Sequence, residues 1–275
     1  MSLYAVLGHP IDHSLSPRIH EDFAALTGRI VRYERREVRA GGLAQALSAL
    51  AAEGGLGANI TVPLKGEAFA LAARSSAQAL RARAVNTLSW ENGVWIGDNT
   101  DGLGLVRDLT HNLGWPLRDR RVFLIGAGGA AQGIVGPLLD AGIATLTLFN
   151  RTPERARELV AACADARVHR ATTGGPAAGP PYDLVINATA AGLSGALPAF
   201  PDGLFEGAMA YDLMYGPKAR AFLSHARAHG ARAAEDGLGM LVEQAAESFR
   251  LWHGVRPPTA PVRARLRAWL GGYEL

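Results

Sequence analysis

Residues 121–139 constrain the fold more than any other part of this chain. Four apolar residues at 122–125 run into Gly126-Ala127-Gly128-Gly129, and an apolar, helix-compatible run follows at 130–139. The stretch 122–139 carries no charge over 18 positions, so a membrane span has to be considered first. A spanning helix needs about 20 predominantly apolar residues. This stretch is broken by five glycines, a glutamine and a proline. It reads instead as a buried strand, a tight turn and a buried helix, which is the opening of a parallel βα unit.

The turn has its own chemistry. Gly126, Ala127, Gly128, Gly129, Ala130 and Ala131 fit the G-x-G-x-x-G/A fingerprint, with alanine in the third place. The first glycine permits the tight turn, the second lets a pyrophosphate approach the backbone, and the small third residue lets helix and strand pack closely. Free N–H groups at the helix start then face the phosphates. The plain alternative is a glycine turn that only packs tightly. A second βα unit follows, with a strand at 145–149 and a helix at 152–163, and this favours a Rossmann-type dinucleotide site.

The end of that second strand selects the cofactor. An NAD site usually places a carboxylate there for the ribose 2′-hydroxyl, whereas NADP needs positive charge for the 2′-phosphate. Here the residues are Asn150, Arg151 and Thr152, with Arg155 one turn into the helix. Two guanidiniums and two short polar groups make a phosphate clamp, so NADP is the predicted cofactor. The alternative, ordinary surface arginines, has weight because 26 of the 28 basic residues are arginine.

The rest of the chain fits around this unit. At about 150 residues per domain, 275 residues suggest one large or two modest domains. An apolar fraction of 48% with 19% charged residues excludes disorder, collagen and disulfide frameworks. The lone Cys163 allows no internal disulfide and suggests a reducing compartment. The opening residues show neither a basic segment nor a long apolar one, so no secretory signal is expected and the predicted location is cytoplasmic. Arginines and glutamates interleave at 29–39, as on a solvated strand face, so neither nucleic acid nor membrane is expected as a partner.

Strand signals at 4–7, 30–38, 58–62, 87–90 and 94–97 alternate with helical ones. The last two strands flank Glu91-Asn92-Gly93, a hairpin signal. Ser16-Pro17 reads as an N-cap followed by the first helical position, with Gly28 as the stop. A helix should begin near Asp101. Further strands are predicted at 183–187 and 209–213, and helices at 220–228 and 238–252. The segment 173–181 reads as a loop. This alternation means α/β architecture in two domains that meet near 102–118.

Polar residues gather at the predicted strand ends of the first domain: Ser14 and Ser16, Asn59, Thr61 and Lys65, Asn86 and Thr87, and Asn99, Thr100 and Asp101. Open α/β sheets bind ligands at such ends. Lys65 stands out because only it and Lys218 are lysine. Arginine stays protonated, while lysine can be tuned to exchange a proton. Lys65 is therefore the acid/base candidate, against the alternative of chance retention. Asp101 is its natural partner, against that of a plain helix cap. His9, His13 and His20 cluster in sequence without zinc spacing, and no metal is expected.

The segments GHPIDHSLSPRIH, NITVPLK, AVNT, IGDNTDGLG, GAGGAA, NRT, INATAAGL and DGLGMLVEQAAESFRLWHG, in this order over nearly the whole chain, resemble the shikimate dehydrogenase family. The resemblance implies an N-terminal α/β substrate domain at 1–102 and a Rossmann NADP-binding domain at 103–236. It also implies that C-terminal helices, 237–275, return to the substrate domain. It implies reversible NADPH-dependent reduction of 3-dehydroshikimate to shikimate, a step of aromatic amino-acid biosynthesis. By position, Ser14 and Ser16 would hold the substrate carboxylate, and Asn59, Thr61, Asn86 and Asp101 the ring hydroxyls. Lys65 would stand at the reacting oxygen, and Tyr215 and Gln244 would complete the pocket. Gly126 to Ala130 would hold the pyrophosphate, and Asn150, Arg151, Thr152 and Arg155 the 2′-phosphate end. Thr189, Leu213, Gly237 and Met240 would lie along ribose and nicotinamide.

The sequence departs from the family pattern at Ala190, where serine is common, at Leu213, where methionine is common, and at Arg220-Ala221, where threonine-proline is common. These departures bear on cofactor affinity more than on the reaction. Two rivals stay open: a quinate/shikimate dehydrogenase, and a noncatalytic NADP-binding sensor on the same scaffold. The assembly is expected to be a monomer or a homodimer.

Overall fold

The computed structural model describes residues 2–171, 181–189 and 200–271. The chain divides into two compact units, Met1–Gly104 with Leu241–Arg265, and Leu105–Met240 with Leu266–Leu275.

The first unit is built on a six-stranded mixed sheet. Its strands are β1 (Ser2–Gly8), β2 (Val31–Glu37), β3 (Gly55–Ile60), β4 (Arg74–Ser75), β5 (Thr87–Glu91) and β6 (Val94–Asp98), in the order β2-β1-β3-β5-β6-β4. β1 runs parallel to β2 and β3, while β5 pairs antiparallel with β3 and, through the Asn92-Gly93 turn, with β6. Asn92 and Gly93 both take positive φ, at 51° and 82°. That is the two-residue turn which Asn-Gly favours.

Helices α1 (Ser16–Thr27), α2 (Leu43–Ala52), α3 (Lys65–Leu71) and α4 (Ala77–Ala82) follow strands of this sheet, and α5 (Asp101–Arg107) follows β6. On α2, Leu43, Leu47 and Leu50 recur at helical spacing, and all three are buried against Leu3, Ala5, Leu7 and Ile60. Helix α9 (Leu238–His253) adds Trp252, which packs with Tyr4, Val6, Ile11 and Tyr33. The Trp252 indole N–H donates to the Leu88 carbonyl at 3.1 Å.

The second unit carries six parallel strands in the order β12-β11-β10-β7-β8-β9. They are β7 (Arg121–Ile125), β8 (Thr145–Phe149), β9 (Val168–Arg170), β10 (Leu184–Asn187), β11 (Met209–Asp212) and β12 (Ala233–Asp236). Helices α6 (Gly129–Asp140), α7 (Pro153–Cys163) and α8 (Arg220–Ala228) accompany them, together with the last turn of α10 (Ala260–Trp269) from Leu266. β10 is buried at all four positions, as expected of a central strand with both faces covered.

Four expectations are corrected. Ser16 lies inside α1, and Leu15 holds the N-cap position without a side-chain cap. The hydroxyl of Ser16 instead accepts from Ser14 Oγ at 3.2 Å. The third strand starts at Gly55, ahead of the expected start at 58, because the preceding turn closes at Gly54 with φ of 83°. The expected unit boundaries shift as well. Residues 237–240 belong with the second unit, where the Gly237 amide donates to the Met214 carbonyl and the Met240 amide to Tyr211 Oη. The chain from Leu266 joins the same unit, because Arg267 grips the buried Asp236 with two bonds of 2.7 and 2.8 Å. Of the expected loop at 173–181, all but residue 181 lies outside the described residues, as does Ala190.

Candidate active site

In the first unit, the polar strand ends converge on one buried network. Lys65 opens α3, and its carbonyl is held by the Val85 amide at 2.9 Å. Its Nζ meets Asp101 Oδ2 at 2.5 Å, with side-chain exposures of 17% and 9%. A half-sequestered ion pair of this kind is less screened than a surface pair. Asp101 is the first residue of α5, and its amide donates to Asn99 Oδ1 at 3.1 Å. The capping duty therefore falls to Asn99, and the Asp101 carboxylate is available to Lys65.

Asn86 fixes the other side of that carboxylate. Its Nδ2 donates to Asp101 Oδ1 at 2.8 Å and lies 2.9 Å from Thr100 Oγ1 and 3.3 Å from Gln244 Oε1. Its Oδ1 accepts from the Thr100 amide at 2.9 Å and from Thr87 Oγ1 at 2.9 Å. Asn59 extends the network. Its Nδ2 donates to Ser248 Oγ at 3.0 Å and to Thr87 Oγ1 at 3.2 Å, and its Oδ1 accepts from Tyr33 Oη at 2.7 Å. Lys65, Asp101, Asn59, Asn86 and Gln244 are thus joined by short links. Such a network fixes which group faces which.

Ser14 and Ser16 pair with each other at the start of α1. The Ser14 carbonyl accepts two bonds from Arg35 of β2, at 2.9 and 2.7 Å. Thr61 follows β3 and packs against Gly8, where an added Cβ would come within 2.4 Å of Thr61 Cγ2. Glycine at the end of β1 is therefore a requirement of Thr61's position. Sequence reasoning missed Tyr33 and Ser248. Ser248 had a signal, since it stands four residues after Gln244 on the same helix face.

His20 sits beside this network, buried and without a hydrogen-bond partner on either ring nitrogen among the described residues. It stacks on Tyr33 with centroids 4.3 Å apart and planes 7° apart, and Phe23, Phe249 and Trp252 complete the surround. Burial pushes its imidazole down to about 3. His9 meets Glu37 at 2.6 Å. Among the described residues no group of three or more His, Cys, Asp or Glu side chains could hold a metal, and no helix is long and apolar enough to cross a membrane.

In the second unit, Gly126 takes φ of 110°, and a Cβ there would lie 3.1 Å from the Ala188 backbone. Its amide donates to the Phe149 carbonyl at 2.7 Å. Gly128 is the N-cap of α6 and offers no side chain to the first-turn amides, while a Cβ at Gly128 or Gly129 would meet nothing within 4 Å. Open space above uncapped amides is what a pyrophosphate needs. Asn150 ties this turn to the end of β8, its Oδ1 accepting from the Ala127 amide at 3.2 Å and its Nδ2 donating to the Thr152 carbonyl at 2.8 Å.

Arg151, Thr152 and Arg155 are exposed beside Asn150, and neither arginine is ion-paired among the described residues. A dinucleotide carrying a 2′-phosphate therefore fits the donor set, since the cations are uncommitted and no carboxylate stands at the strand end. Thr189 follows β10, Leu213 and Tyr215 follow β11, and Gly237 and Met240 follow β12. Tyr215 is thus carried by the second unit. A Cβ at Gly237 would come within 2.4 Å of the Leu213 carbonyl oxygen, so these neighbouring strand ends are in close contact.

The family model described as the shikimate dehydrogenase substrate binding domain matches residues 6–88. The model described as shikimate / quinate 5-dehydrogenase matches 108–194, and that of the shikimate 5′-dehydrogenase C-terminal domain matches 237–267. A protein named shikimate dehydrogenase (NADP(+)) from Acidovorax sp. (strain JS42) is 52% identical, over 97% of this chain and 96% of its own. An Ael1 enzyme from Pseudomonas putida aligns with a TM-score of 0.88 at 42% identity, covering 97% of this chain and 98% of its own. The shikimate 5-dehydrogenase of Thermus thermophilus, solved with NADP(H) and shikimate, aligns with a TM-score of 0.85 at 33% identity, covering 98% and 99%.

Proposed function

The chain belongs to the shikimate dehydrogenase family, and we propose that it catalyses the reversible NADPH-dependent reduction of 3-dehydroshikimate to shikimate. The observation that carries this reading is the Lys65–Asp101 pair, held from behind by Asn86. Carbonyl reduction needs a group that gives a proton to the oxygen as the carbon is reduced. Lys65 has that proton, and Asp101 aims and stabilises the ammonium. NADPH, when bound, supplies the hydride.

The remaining roles are those that the family resemblance implies. The Ser14 and Ser16 hydroxyls donate to the substrate carboxylate, with the Arg35 guanidinium close behind Ser14. Asn59, Thr61, Asn86 and Gln244 meet the ring hydroxyls, and Tyr215 contributes its phenol. Gly126, Ala127, Gly128, Gly129 and Ala130 hold the pyrophosphate. Asn150, Arg151, Thr152 and Arg155 hold the 2′-phosphate, while Thr189, Leu213, Gly237 and Met240 line the ribose and nicotinamide. The proposed setting is the cytoplasm, with the protein as a monomer or homodimer.

Steady-state assays with shikimate and quinate, each with NADP and NAD, test the reading. Turnover with shikimate and NADP, and little with the other three pairings, is the expected result. Equal turnover of quinate would make it a quinate/shikimate dehydrogenase. No turnover in any pairing, with NADP still bound, would make it a noncatalytic NADP sensor.

A further inference from the structure

Among the described residues, Asp108, Asp212, Asp236 and Glu243 are buried carboxylates that the proposed chemistry does not use. Asp212 ends β11, and its side chain is fully buried. It has no ion-pair partner among the described residues. Its Oδ1 accepts from the Met214 amide at 2.9 Å, and its Oδ2 accepts from Asn187 Nδ2 at 3.1 Å. Asn187 is its register partner on β10 and is equally buried. The Oδ1 of Asn187 accepts from the Thr189 amide at 3.1 Å and from the Thr189 hydroxyl at 2.7 Å. The Leu213 amide donates to the Asn187 carbonyl at 2.9 Å.

The direction of these bonds is forced. An ionised carboxylate only accepts, so the amide of Asn187 must turn its nitrogen toward Asp212. Its oxygen then points at Thr189, whose hydroxyl spends its proton on that oxygen. Thr189 is left as an acceptor toward anything else it meets. At the same time Asp212 Oδ1 holds the Met214 amide next to Leu213, while the Leu213 amide is held by the Asn187 backbone carbonyl in the strand ladder. One buried carboxylate therefore governs two residues expected along the ribose and nicotinamide.

We propose that Asp212 is a positioning residue for the nicotinamide half of the dinucleotide, acting through Asn187 to fix Thr189 as an acceptor and to hold Leu213 in place. The group it presents Thr189 to is a donor, such as a ribose hydroxyl or a carboxamide N–H. The proposal rests on the reading that the second unit binds NADP. The relay is also proton-sensitive. Burial pushes the Asp212 carboxyl up to about 7, against the opposing bonds from Met214 and Asn187 and with help from the like charge of Asp236. Asp236 on β12 is itself paired with Arg267 of α10, while β10 offers Asp212 only the neutral Asn187 amide. Protonation places a donor where two donors already point, and one link of the relay must break.

The test is equilibrium binding of NADP to the full chain, beside steady-state kinetics. At pH 8, Asp212→Asn and Asn187→Ala are each expected to weaken NADP binding at least tenfold, and the double variant no further than the weaker single. The KM for shikimate at saturating NADP should move less than twofold. Wild-type affinity for NADP should fall between pH 8 and pH 6 by several-fold more than that of Asp212→Asn, a comparison that cancels the titration of the 2′-phosphate itself. Should Asp212→Asn fail to fold, Thr189→Val and Thr189→Ser give the same reading, since valine should lose affinity and its pH dependence, and serine keep both. Additive effects in the double variant, NADP affinities within twofold of wild type, or equal pH dependence in wild type and variants would overturn the proposal. A wild-type chain that does not bind NADP would overturn the cofactor reading and the relay with it.

Discussion

Lys65 Nζ lies 2.5 Å from Asp101 Oδ2, while the other oxygen of that carboxylate, Oδ1, is taken by Asn86 Nδ2 at 2.8 Å. Each oxygen of Asp101 has its own donor, so the carboxylate cannot rotate without losing one. Lys65→Ala is expected to lower kcat by about 10²- to 10⁴-fold, the usual worth of a positioned acid/base. Its effect on the KM for shikimate should be smaller, the pattern of an interaction made mainly in the transition state. Asp101→Asn should also lower kcat, because the amide puts an NH2 donor in place of one of the two oxygens that now accept from Lys65 and Asn86. Initial-rate measurements decide, and a Lys65→Ala variant with near-normal kcat would remove this residue from the mechanism.

Arg151 and Arg155 are exposed and free of ion pairs among the described residues, so their charge is available to a ligand phosphate. Hydrogen bonds to charged groups are worth about 1.5–3 kcal/mol. Replacing both arginines by alanine should then raise the KM for NADP by roughly tenfold or more and leave that for NAD nearly unchanged. A parallel rise for both cofactors would show that the pair shapes the turn rather than reading the phosphate.

His20 sets an acid limit on stability. Its folded-state imidazole, at about 3, lies below the ordinary value of 6.5 because burial disfavours the cation. Between those values the unfolded chain binds a proton that the folded chain refuses, so stability falls as pH is lowered through that window. Once His20 is charged in the unfolded chain, the limiting slope is about 1.4 kcal/mol per pH unit. Denaturant melts at pH 7, 6 and 5 should show this loss, and His20→Phe should flatten it. An unchanged slope in that variant would mean that other groups set the acid limit.

Gly8→Ala tests the support behind Thr61. The new Cβ would stand 2.4 Å from Thr61 Cγ2 and 3.0 Å from the Val62 carbonyl oxygen. Overpacking of this kind costs about 1–3 kcal/mol. The KM for shikimate should rise, since Thr61 must move, while the KM for NADP stays put. An unaltered KM for shikimate would place Thr61 outside the substrate site.

The glycine turn and its flanking strand and helix were legible because local rules decide them: an apolar strand, a φ of 110° at Gly126 and a small residue where helix meets strand. Lys65 was legible through its rarity among arginines. The surroundings of Lys65 were not. Tyr33 and Asn59 are 26 positions apart, and Asn59 and Ser248 are 189 apart, so only the assembled sheet and α9 bring them into contact. Ser16 was misread for a related reason. Its neighbour Ser14 claims its hydroxyl, and a rule about isolated helix starts does not see that competitor. The Asp212 chain escaped notice because register, not spacing, sets Asp212 beside Asn187.

The aromatic surround of His20 also has a consequence for how the chain is made. Tyr4, His20, Phe23 and Tyr33 leave the ribosome early, but Phe249 and Trp252, which stack on them, come more than 200 residues later. At synthesis speeds of about 5–20 residues per second, the early rings wait on the order of ten seconds or longer for their cover. During that interval the first unit has its strands but not its lid of rings, and Asn59 lacks Ser248. The second unit's six strands are all synthesised before α9 is complete. The substrate unit, although its first hundred residues are translated first, is therefore completed only after the six strands of the second unit.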